Sequence, residues 1–337
     1  MKPLGGRALA VAIVGATGLV GETLTRVLEE RKFPVAWLRA FGTARSSGAI
    51  LRAAGQAVNV EQLETARDPF AQIDVAFFAA GDDVSRRHAR AAADAGAFVV
   101  DKSGVFRQDP NTPLVVPEAN AHAIGAHTLI ANPNCSTIPI AVTLAPFERA
   151  FGLKWVSVVA FQSVSGAGKD ALAEFEAQLQ GGATVRALPR PIAGNLIPQN
   201  GPFDSSGYGE EESKIAAELR KILDRPDLPI SATAVRVPVV VGHSAALAFA
   251  PAREASVDEL REVLRSAPGI RFEDGTGYAT PLDVAGTDDV AVGRLRADTA
   301  HPGAYLCWVA CDNLRKGAAT NAVQIVEAAM RQSEVPA

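Results

Sequence analysis

The sequence has little of what a disulfide-stapled domain or a nucleic-acid-binding protein needs. Only three of its 337 residues are cysteines, an odd number that provides no disulfide framework and fits a reducing cytoplasm. The 33 Lys and Arg residues are outnumbered by 37 Asp and Glu, so no basic excess can neutralise a phosphate backbone. Aromatic residues make up only 6%, which leaves few platforms for stacking bases. We therefore expect no nucleic-acid partner.

Long apolar runs and repeats are missing as well. No stretch approaches the roughly 18 uninterrupted apolar residues of a membrane span, so we expect no membrane segment. The apolar run 9–14 ends in a glycine turn and continues as a helix, which favours a strand over a signal peptide. With 48% hydrophobic and 21% charged residues, the composition is globular. We expect a cytoplasmic protein of about two domains.

The first half alternates strands and helices. Continuous apolar strands separated by helices indicate a parallel sheet covered on both faces, as in Rossmann-type folds. The predicted strands are 9–14, 35–41, 74–79, 98–101 and 128–131, and the predicted helices include 18–30 and 84–95.

The second half changes character and predicts an α+β domain. Pro and Gly crowd residues 181–209, which predicts a long irregular connection. Strands are predicted over 154–162, 230–237, 245–250 and 305–310, the last three alternating like antiparallel strands. Helices are predicted over 138–150, 169–179, 210–223 and 318–331. The fold class is therefore α/β, with a Rossmann-type nucleotide-binding domain over residues 1–133 and an α+β domain over 134–316.

A glycine turn links the first strand to the first helix. Glycines let the main chain approach a pyrophosphate, and the helix N-terminus offers N–H groups and a positive dipole end. The spacing G-x-x-G-x-x-G differs from the stricter G-x-G-x-x-G, and an ordinary tight turn is the alternative. We predict that this turn binds the cofactor, through Gly15, Ala16, Thr17, Gly18, Leu19 and Val20.

The end of the second predicted strand bears on the choice of cofactor. Folds that bind NAD usually place Asp or Glu there to hold the ribose 2′-hydroxyl. This sequence has no carboxylate at that point and carries Thr43, Arg45 and Ser46 instead. Two hydroxyls and a guanidinium suit a 2′-phosphate, so we predict NADP as the cofactor. The alternative is a solvated polar loop.

Cys135 is the candidate nucleophile. It lies in Asn132-Pro-Asn-Cys-Ser-Thr137, directly before the predicted helix 138–150. Thiols at helix N-termini ionise more readily, and a main-chain N–H there can point at a developing oxyanion. Cys307 and Cys311 lie on an apolar strand, and no neighbouring His or Cys completes a zinc set. We therefore predict that these two are core residues and that the chain binds no metal.

A thiolate nucleophile needs a base, and His243 is the candidate among the five histidines. It directly follows the run Val239-Val-Val-Gly242, a short distance after Arg236. Arg236 interrupts an apolar strand, where a charge is costly unless it is paired or used. We predict that both side chains belong to a functional site, and a structural ion pair is the alternative for Arg236.

Together these residues resemble one enzyme family. The chain is similar to aspartate-β-semialdehyde dehydrogenases over nearly its whole length, and the cysteine and histidine segments are the most specific part of the match. The matching segments are 15–21, 45–46, 101–107, 113–118, 132–137, 162–168, 211–214, 236–238 and 242–244.

The resemblance implies a reversible, NADP-dependent reduction of β-aspartyl phosphate to aspartate semialdehyde, with release of phosphate, on the way to lysine, threonine and methionine. It implies a catalytic and dimerisation domain over 134–316, a C-terminal helix, 317–334, that completes the nucleotide domain, and a homodimer or a dimer of dimers. By position, the resemblance implies three catalytic residues: Cys135 as nucleophile, His243 as acid/base and Gln162 orienting the acyl group. It implies that Arg236 holds the substrate carboxylate, Glu211 meets its ammonium, Asn134 also binds substrate, and Arg107 and Lys214 bind phosphate. The residues implied to face the nicotinamide are Ser165, Gly166 and Asn321.

Two alternatives stay open at this point. One is a related acyl-phosphate or acyl-thioester reductase with a different substrate. The other is a non-catalytic paralogue that binds nucleotide and serves as a partner. Loss of the nucleophile would mark such a paralogue, and Cys135 is present.

Overall fold

The computed structural model describes residues 4–53 and 55–334, which form two compact units. The first comprises the two ends of the chain, the described residues up to Pro133 and from Ala318 onward, and is called the outer unit for its place in the sequence; the second, Asn134–Gly317, is the middle of the sequence and is called the central unit. No helix in the described ranges combines the length and the hydropathy that a bilayer crossing requires.

Strands and helices are numbered in chain order. The strands are β1 (Leu9–Val14), β2 (Val35–Gly42), β3 (Ile50–Ala53), β4 (Gln56–Gln62), β5 (Val75–Phe78), β6 (Phe98–Asp101), β7 (Leu129–Ala131), β8 (Leu153–Gln162), β9 (Ile230–Arg236), β10 (His243–Pro251), β11 (Ile270–Glu273), β12 (Val290–Ala297) and β13 (Tyr305–Cys311). The α-helices are α1 (Leu19–Glu30), α2 (Asp82–Asp94), α3 (Pro117–Asn120), α4 (Thr137–Phe151), α5 (Lys169–Leu179), α6 (Glu210–Ile222), α7 (Val257–Ser266), α8 (Pro281–Val284) and α9 (Thr320–Glu334).

The outer unit is built on a seven-stranded sheet of order β3-β4-β2-β1-β5-β6-β7. All strands of this sheet run parallel except β3, which pairs antiparallel with β4. The predicted parallel sheet is confirmed for β1, β2, β5, β6 and β7. The hairpin of β3 and β4 was not predicted, because its strands are short and largely exposed and carry no continuous apolar run.

The last helix packs on the sheet of the outer unit. Val323 and Val326 of α9 belong to the same buried cluster as Val11, Ile13 and Phe77. The predicted helix 318–331 is confirmed from residue 320 onward; its first two residues belong to a π-helical turn, Arg315–Ala319, that runs directly into α9.

The central unit is a six-stranded sheet of order β11-β12-β13-β10-β8-β9 with helix α4 buried against one face. Twelve of the fifteen residues of α4 are buried, and Phe147 stacks on Phe249 of β10 with ring centroids 4.8 Å apart. The opposite face carries half-buried apolar side chains, among them Phe161 and Trp308 in ring contact.

The direction of β9 was predicted wrongly. The alternation over 230–237 suggested an antiparallel strand, but β9 pairs with β8 in parallel. The chain leaves β8, passes through α5, the irregular stretch and α6, and returns to run β9 in the same direction. Alternation of apolar and polar side chains shows that the two faces of a strand have different surroundings. It carries no information about the direction of the neighbouring strand. The predicted antiparallel pairing of β10 and β13 is confirmed.

The irregular stretch 181–209 is held by hydrogen bonds from its main chain to α5. The carboxylate of Glu174 accepts the main-chain N–H groups of Arg186 and Ala187 at 2.6 and 2.8 Å. Further along, Ile197 pairs with Arg236 through two main-chain hydrogen bonds of 3.0 and 2.8 Å. The segment is thus held at residues 186–187 and again at Ile197, although it contains no helix and no long strand.

Candidate active site

The turn before α4 carries Cys135, and the first residue of β10 meets it. Cys135 directly precedes Ser136, the N-cap residue of α4. Its Sγ lies 3.2 Å from Nε2 of His243. The thiol is half-buried and the histidine is 2% exposed. The structure therefore brings together the two residues predicted as nucleophile and acid/base.

Helix α6 holds the residue before the cysteine. Glu211 and Glu218 are seven residues apart, two helical turns, and so point from the same face of α6. Glu218 accepts the main-chain N–H of Asn134 at 2.7 Å, and Glu211 accepts its side-chain Nδ2 at 2.8 Å. Oδ1 of Asn134 accepts the N–H of Ser136 at 2.8 Å. The hydrogen bonds of Asn134 thus fix the turn 134–136 that carries the candidate nucleophile, here called the nucleophile turn.

Gln162 and Lys214 complete this side of the site. Nε2 of Gln162 donates to Oγ of Ser136 at 2.7 Å and to Oε2 of Glu211 at 3.2 Å. Lys214 forms ion pairs with Glu210 at 2.7 Å and with Glu211 at 3.5 Å. The site therefore offers a carboxylate and an ammonium close together beside the nucleophile turn.

Arg236 ends β9 directly beside Gln162, its register partner on β8. It is buried, and its Nη1 donates to the main-chain oxygen of Ser163 at 2.8 Å. Among the described residues, its buried Nε has no hydrogen-bond partner. The pKa of Arg236 lies below its usual value, because the effect of burial outweighs the opposing effect of the Cys135 and Glu211 charges. A buried guanidinium with an unused N–H donor close to Cys135 is suited to a carboxylate ligand.

The far side of His243 contacts Ser163, and Asn313 lies behind that serine; the sequence analysis missed both residues. Nδ1 of His243 accepts the main-chain N–H of Ser163 at 3.1 Å and lies 3.0 Å from its Oγ. That hydroxyl is 3.0 Å from Oδ1 of Asn313, which also accepts the N–H of Gly242 at 2.9 Å. The available signal was weak: both residues are polar ones at the ends of apolar strands.

Gly166 lies against the same histidine, and Ser165 contacts the residues behind it, Ser163 and Asn313. Ser165 is buried, and its Oγ accepts a hydrogen bond from Nδ2 of Asn313 at 2.9 Å, so its hydroxyl is hydrogen-bonded within the protein. A β-carbon on Gly166 would stand 3.0 Å from both Cε1 of His243 and Nη1 of Arg236. Only glycine keeps the space over these two side chains clear.

In the outer unit, the glycine turn is shaped by close main-chain packing. Gly15 has φ +85°, and a β-carbon there would stand 2.7 Å from the oxygen of Ala79. A β-carbon on Gly21 would stand 2.2 Å from the oxygen of Gly15. Helix α1 therefore starts immediately beside the end of β1, with Gly18 as its N-cap. The first N–H groups of a helix have no partner within it, which fits a bound phosphate.

The segment predicted to choose the cofactor forms a short 3-10 turn after β2. Thr43 and Arg45 are exposed, while Ser46 is half-buried and donates to the oxygen of Thr43 at 3.2 Å. Glu61, on the neighbouring strand β4, is engaged by Arg39 in a two-bond ion pair of 2.8 and 2.6 Å. The turn itself thus presents a cation and hydroxyls.

Arg107 and Asn321 also belong to the outer unit. Arg107 is buried and donates to the main-chain oxygens of Asn132 and Lys102 at 3.1 and 2.6 Å. Asn321 is fully buried, and its Nδ2 donates to the oxygen of Val115 at 3.0 Å and to Oδ1 of Asn132 at 2.7 Å. Both hydrogens of that amide are therefore used inside the protein rather than toward a nicotinamide.

The other two cysteines are core residues, as predicted. Cys307 and Cys311 are 3% and 0% exposed on β13. Burial raises the pKa of Cys307 to about 12 and also raises the pKa of Cys311. Within residues 4–53 and 55–334, no group of three His, Cys, Asp or Glu side chains is arranged to hold a metal ion.

Comparison with known proteins gives the family. The model of the semialdehyde dehydrogenase NAD binding domain matches residues 10–127, and that of the semialdehyde dehydrogenase dimerisation domain matches residues 144–316. The aspartate-semialdehyde dehydrogenase of Shewanella violacea is 43% identical over 331 residues, which cover 95% of this chain and 97% of the relative. The chain belongs to the aspartate-semialdehyde dehydrogenase family.

Other aspartate-semialdehyde dehydrogenases match as fully. The protein from Aquifex aeolicus is 41% identical over 334 residues, covering 96% of this chain and 98% of the relative. The aspartate semialdehyde dehydrogenase II of Vibrio cholerae, solved in complex with ASA, has a TM-score of 0.93 at 40% identity and covers 97% of this chain and 99% of its own. The predicted family and the predicted α/β fold, with a Rossmann-like NAD-binding domain and a dimerisation domain, are confirmed.

Proposed function

We propose that this chain catalyses the reversible, NADP-dependent reduction of β-aspartyl phosphate to aspartate β-semialdehyde with release of phosphate. The observation that carries the proposal is the 3.2 Å approach of Cys135 Sγ to His243 Nε2. Arg236 and Glu211 supply opposite charges close to that pair, as an amino-acid substrate requires. The names of the full-length relatives support the same reaction.

In this proposal Cys135 attacks the acyl carbon of the phosphorylated substrate. A C–S bond forms as the C–O bond to phosphate breaks, so the acyl group passes to Cys135 as a thioester and phosphate leaves. Gln162, tied to Ser136 beside the nucleophile, orients the carbonyl. A donor to the developing oxyanion typically contributes about 3–4 kcal/mol of transition-state stabilisation.

Release of the aldehyde returns Cys135 to its starting state. When bound, NADPH supplies the hydride that reduces the thioester carbon. The C–S bond then breaks, the aldehyde departs and the thiolate of Cys135 is regenerated. His243 serves as the acid/base partner and holds a proton at Nε2 beside the sulfur.

In this proposal, residues of opposite charge bind the two charged groups on the α-carbon of the substrate. Arg236 pairs with the α-carboxylate, because its buried Nε is an unused donor and a guanidinium binds carboxylates with two bonds. Glu211 meets the α-ammonium, and Asn134 contributes by holding Glu211. Lys214 binds the phosphate. Arg107 stays a predicted phosphate ligand by resemblance.

For the cofactor, the glycine turn binds the pyrophosphate, together with Ala16, Thr17, Leu19 and Val20. The 2′-phosphate of NADP is bound by Thr43, Arg45 and Ser46. The tight packing of Gly15 and Gly21 and the exposed Arg45 support this assignment. Asn321 and Ser165 act indirectly, since their side chains bond protein groups, whereas Gly166 leaves room over His243 and Arg236.

We further propose a homodimer, or a dimer of such dimers, in the cytoplasm. The face of the central sheet that carries Phe161 and Trp308 is apolar and only half-buried. The match to a dimerisation domain over 144–316 includes this sheet. A second copy of the chain is the partner that would cover the face. The proposed pathway role is biosynthesis of lysine, threonine and methionine.

The deciding experiment is an assay of phosphate-dependent NADP reduction with aspartate semialdehyde as substrate. Glutamate semialdehyde and glyceraldehyde 3-phosphate serve as competing substrates. We expect turnover with aspartate semialdehyde to exceed both by orders of magnitude. Preference for either competitor would assign the chain to a different acyl-phosphate chemistry.

A further inference from the structure

Arg39 of β2 and Glu61 of β4 form an ion pair that the mechanism does not use. Nε and Nη2 of Arg39 donate to the two carboxylate oxygens of Glu61 at 2.8 and 2.6 Å. Nη1 donates to the main-chain oxygens of Asp68 and Pro69 at 3.1 and 3.0 Å. All three nitrogens of the guanidinium therefore hold it in one position, with its charge against the carboxylate.

The turn after β2 passes over the carboxyl end of β4. The sheet order is β3-β4-β2, so β4 lies between the two strands that this turn connects. Val60 pairs with β2 on one side, and on the other side its N–H donates to the oxygen of Ala49, just before β3, at 2.8 Å. Glu61 is the next residue, one before the end of β4. It therefore lies next to the turn 43–46, to which we assign the 2′-phosphate.

The charge of Glu61 is close enough to act on a ligand of that turn. Glu61 is the register partner of Phe41, and neighbouring strands lie about 4.7–4.9 Å apart. A ligand of the turn is thus within about one Debye length, roughly 8 Å at physiological salt. Over such a distance an uncancelled carboxylate repels a dianion. Residues 42–50 contain no Asp or Glu, so an acidic charge here comes from a neighbouring strand.

The pair balances charge more than it stabilises the fold. The side chains of Arg39 and Glu61 are 21% and 39% exposed, and ion pairs as open as this contribute little to folding. The hydrogen bonds from Arg39 lower the pKa of Glu61, so this carboxylate is ionised at neutral pH. A negative charge is thus present beside the turn and is cancelled there by Arg39.

We infer that Arg39 is a specificity-determining residue for NADP, because it cancels the charge of Glu61 beside the turn that binds the 2′-phosphate. Arg39 acts through Glu61 and needs no contact with the phosphate. The inference rests on the proposed preference for NADP and deepens it by adding the neighbouring strand to the site. NAD has an uncharged 2′-hydroxyl at this point, so its binding does not depend on the pair.

The test is isothermal titration calorimetry of the full-length protein with NADP and with NAD, without substrate. Relative to the wild type, we expect Arg39→Gln to bind NADP about three- to tenfold more weakly at about 50 mM salt and to bind NAD nearly unchanged. At about 1 M salt the Debye length falls to about 3 Å, and the loss should shrink to less than about twofold. A loss that is equal for both cofactors and persists in salt would show a structural effect and overturn the inference.

A double variant separates charge from contact. Arg39→Gln/Glu61→Gln removes both charges, and its affinity for NADP should return to within about twofold of the wild type. If it stayed as weak as Arg39→Gln, Arg39 would not act through Glu61. Glu61→Gln alone should bind NADP at least as tightly as the wild type. Weaker binding by this variant would overturn the inference even if Arg39→Gln did not fold.

Arg31→Gln is the matched control. Arg31 forms the same kind of two-bond pair with Glu327, at 2.8 and 2.6 Å. It directly follows α1, at the opposite end of that helix from the glycine turn. We expect this variant to bind NADP like the wild type at both salt concentrations. A loss as large as that of Arg39→Gln would show that any broken pair has this effect, and the inference would fall.

The wild-type titrations keep the two proposals apart. Equal affinity of the wild type for NADP and NAD would defeat the proposed cofactor choice and this inference with it. A wild type that prefers NADP, together with an Arg39→Gln variant that keeps the whole preference, would defeat the inference alone. Because the titrations need no turnover, inactivity toward aspartate semialdehyde would defeat only the proposed reaction.

Discussion

The buried carboxylate of Glu218 accepts the main-chain N–H of Asn134 at 2.7 Å, one residue before Cys135. Glu218 is 1% exposed and lies 84 positions further along the chain. Helix α6 therefore holds the nucleophile turn through the main-chain N–H of Asn134, and that hydrogen bond does not depend on the side chains of the turn.

Loss of Glu218 should loosen that turn. We expect Glu218→Ala to lower the free energy of unfolding by about 1.5–3 kcal/mol, the usual range for a hydrogen bond to a charged group, and to lower kcat as well. Glu218→Gln keeps an acceptor oxygen and should lose less on both measures. Denaturant unfolding and steady-state kinetics provide the comparison; equal behaviour of the Ala and Gln variants would show that the hydrogen bond contributes nothing.

The three thiols should differ sharply in reactivity. A thiol stays protonated below its pKa, and the pKa of Cys307 is raised to about 12, so at pH 8 it has almost no thiolate. We expect iodoacetamide at that pH to label Cys135 alone and to abolish turnover. Cys135→Ala should be inactive yet folded and able to bind NADP, whereas Cys307→Ala should stay active. Mass spectrometry of the labelled peptides identifies the labelled cysteine. Activity in the Cys135→Ala variant would show that Cys135 is not the nucleophile.

Lys214→Leu should weaken phosphate binding selectively. Removing one charged hydrogen bond to a dianion is expected to raise KM for phosphate about tenfold or more and to leave KM for the semialdehyde nearly unchanged. Lys154→Leu is the matched control, because Lys154 is exposed near the opposite end of β8 from Gln162. A rise in KM for the semialdehyde alone would assign Lys214 to the substrate carboxylate instead.

Arg45 should set the preference for NADP. We expect the wild type to favour NADP over NAD by about tenfold or more, since a charged hydrogen bond contributes about 1.5–3 kcal/mol. Arg45→Ala should raise KM for NADP and leave KM for NAD nearly unchanged. Arg52→Ala, at an exposed arginine on β3, is the control. If Arg45→Ala weakened the binding of NADP and of NAD equally, Arg45 would be an ordinary surface residue without a role in cofactor choice.

A charge on the apolar sheet face should separate the proposed dimer. Trp308→Glu is expected to give a monomer by light scattering, because a buried carboxylate without a partner opposes association. The exposed side chain of Leu282, on α8, provides a control substitution, Leu282→Glu. A monomeric wild type, or a dimer unaffected by Trp308→Glu, would contradict the proposed interface.

Local patterns in the sequence were sufficient for much of the fold. The glycine turn after β1 and the apolar strands β5 and β6 are visible because their periodicity and composition depend only on neighbouring residues. The direction of β9 and the hairpin of β3 and β4 were missed, because strand pairing depends on distant parts of the chain.

The candidate site shows the same division. Cys135 and His243 were found through short motifs, but Ser163 and Asn313 were not, because their hydrogen bond joins residues 150 positions apart. Glu218 was missed for the same reason: in the sequence it is one more acidic residue of a charged helix, and only folding buries it. A residue that acts by holding another leaves no local signature.

The proposed substrate site depends on strand register. Gln162 and Arg236 are partners at the carboxyl ends of two parallel strands, and a slip of one residue would turn the guanidinium to the opposite face of the sheet. The paired hydrogen bonds between Ile197 and Arg236 hold β9 against such a slip from its open edge. The buried side chains of this stretch, Leu188, Ile192 and Ile197, are constrained by packing. An insertion that shifts the pairing of Ile197 with Arg236 would in addition move the proposed carboxylate ligand out of the site.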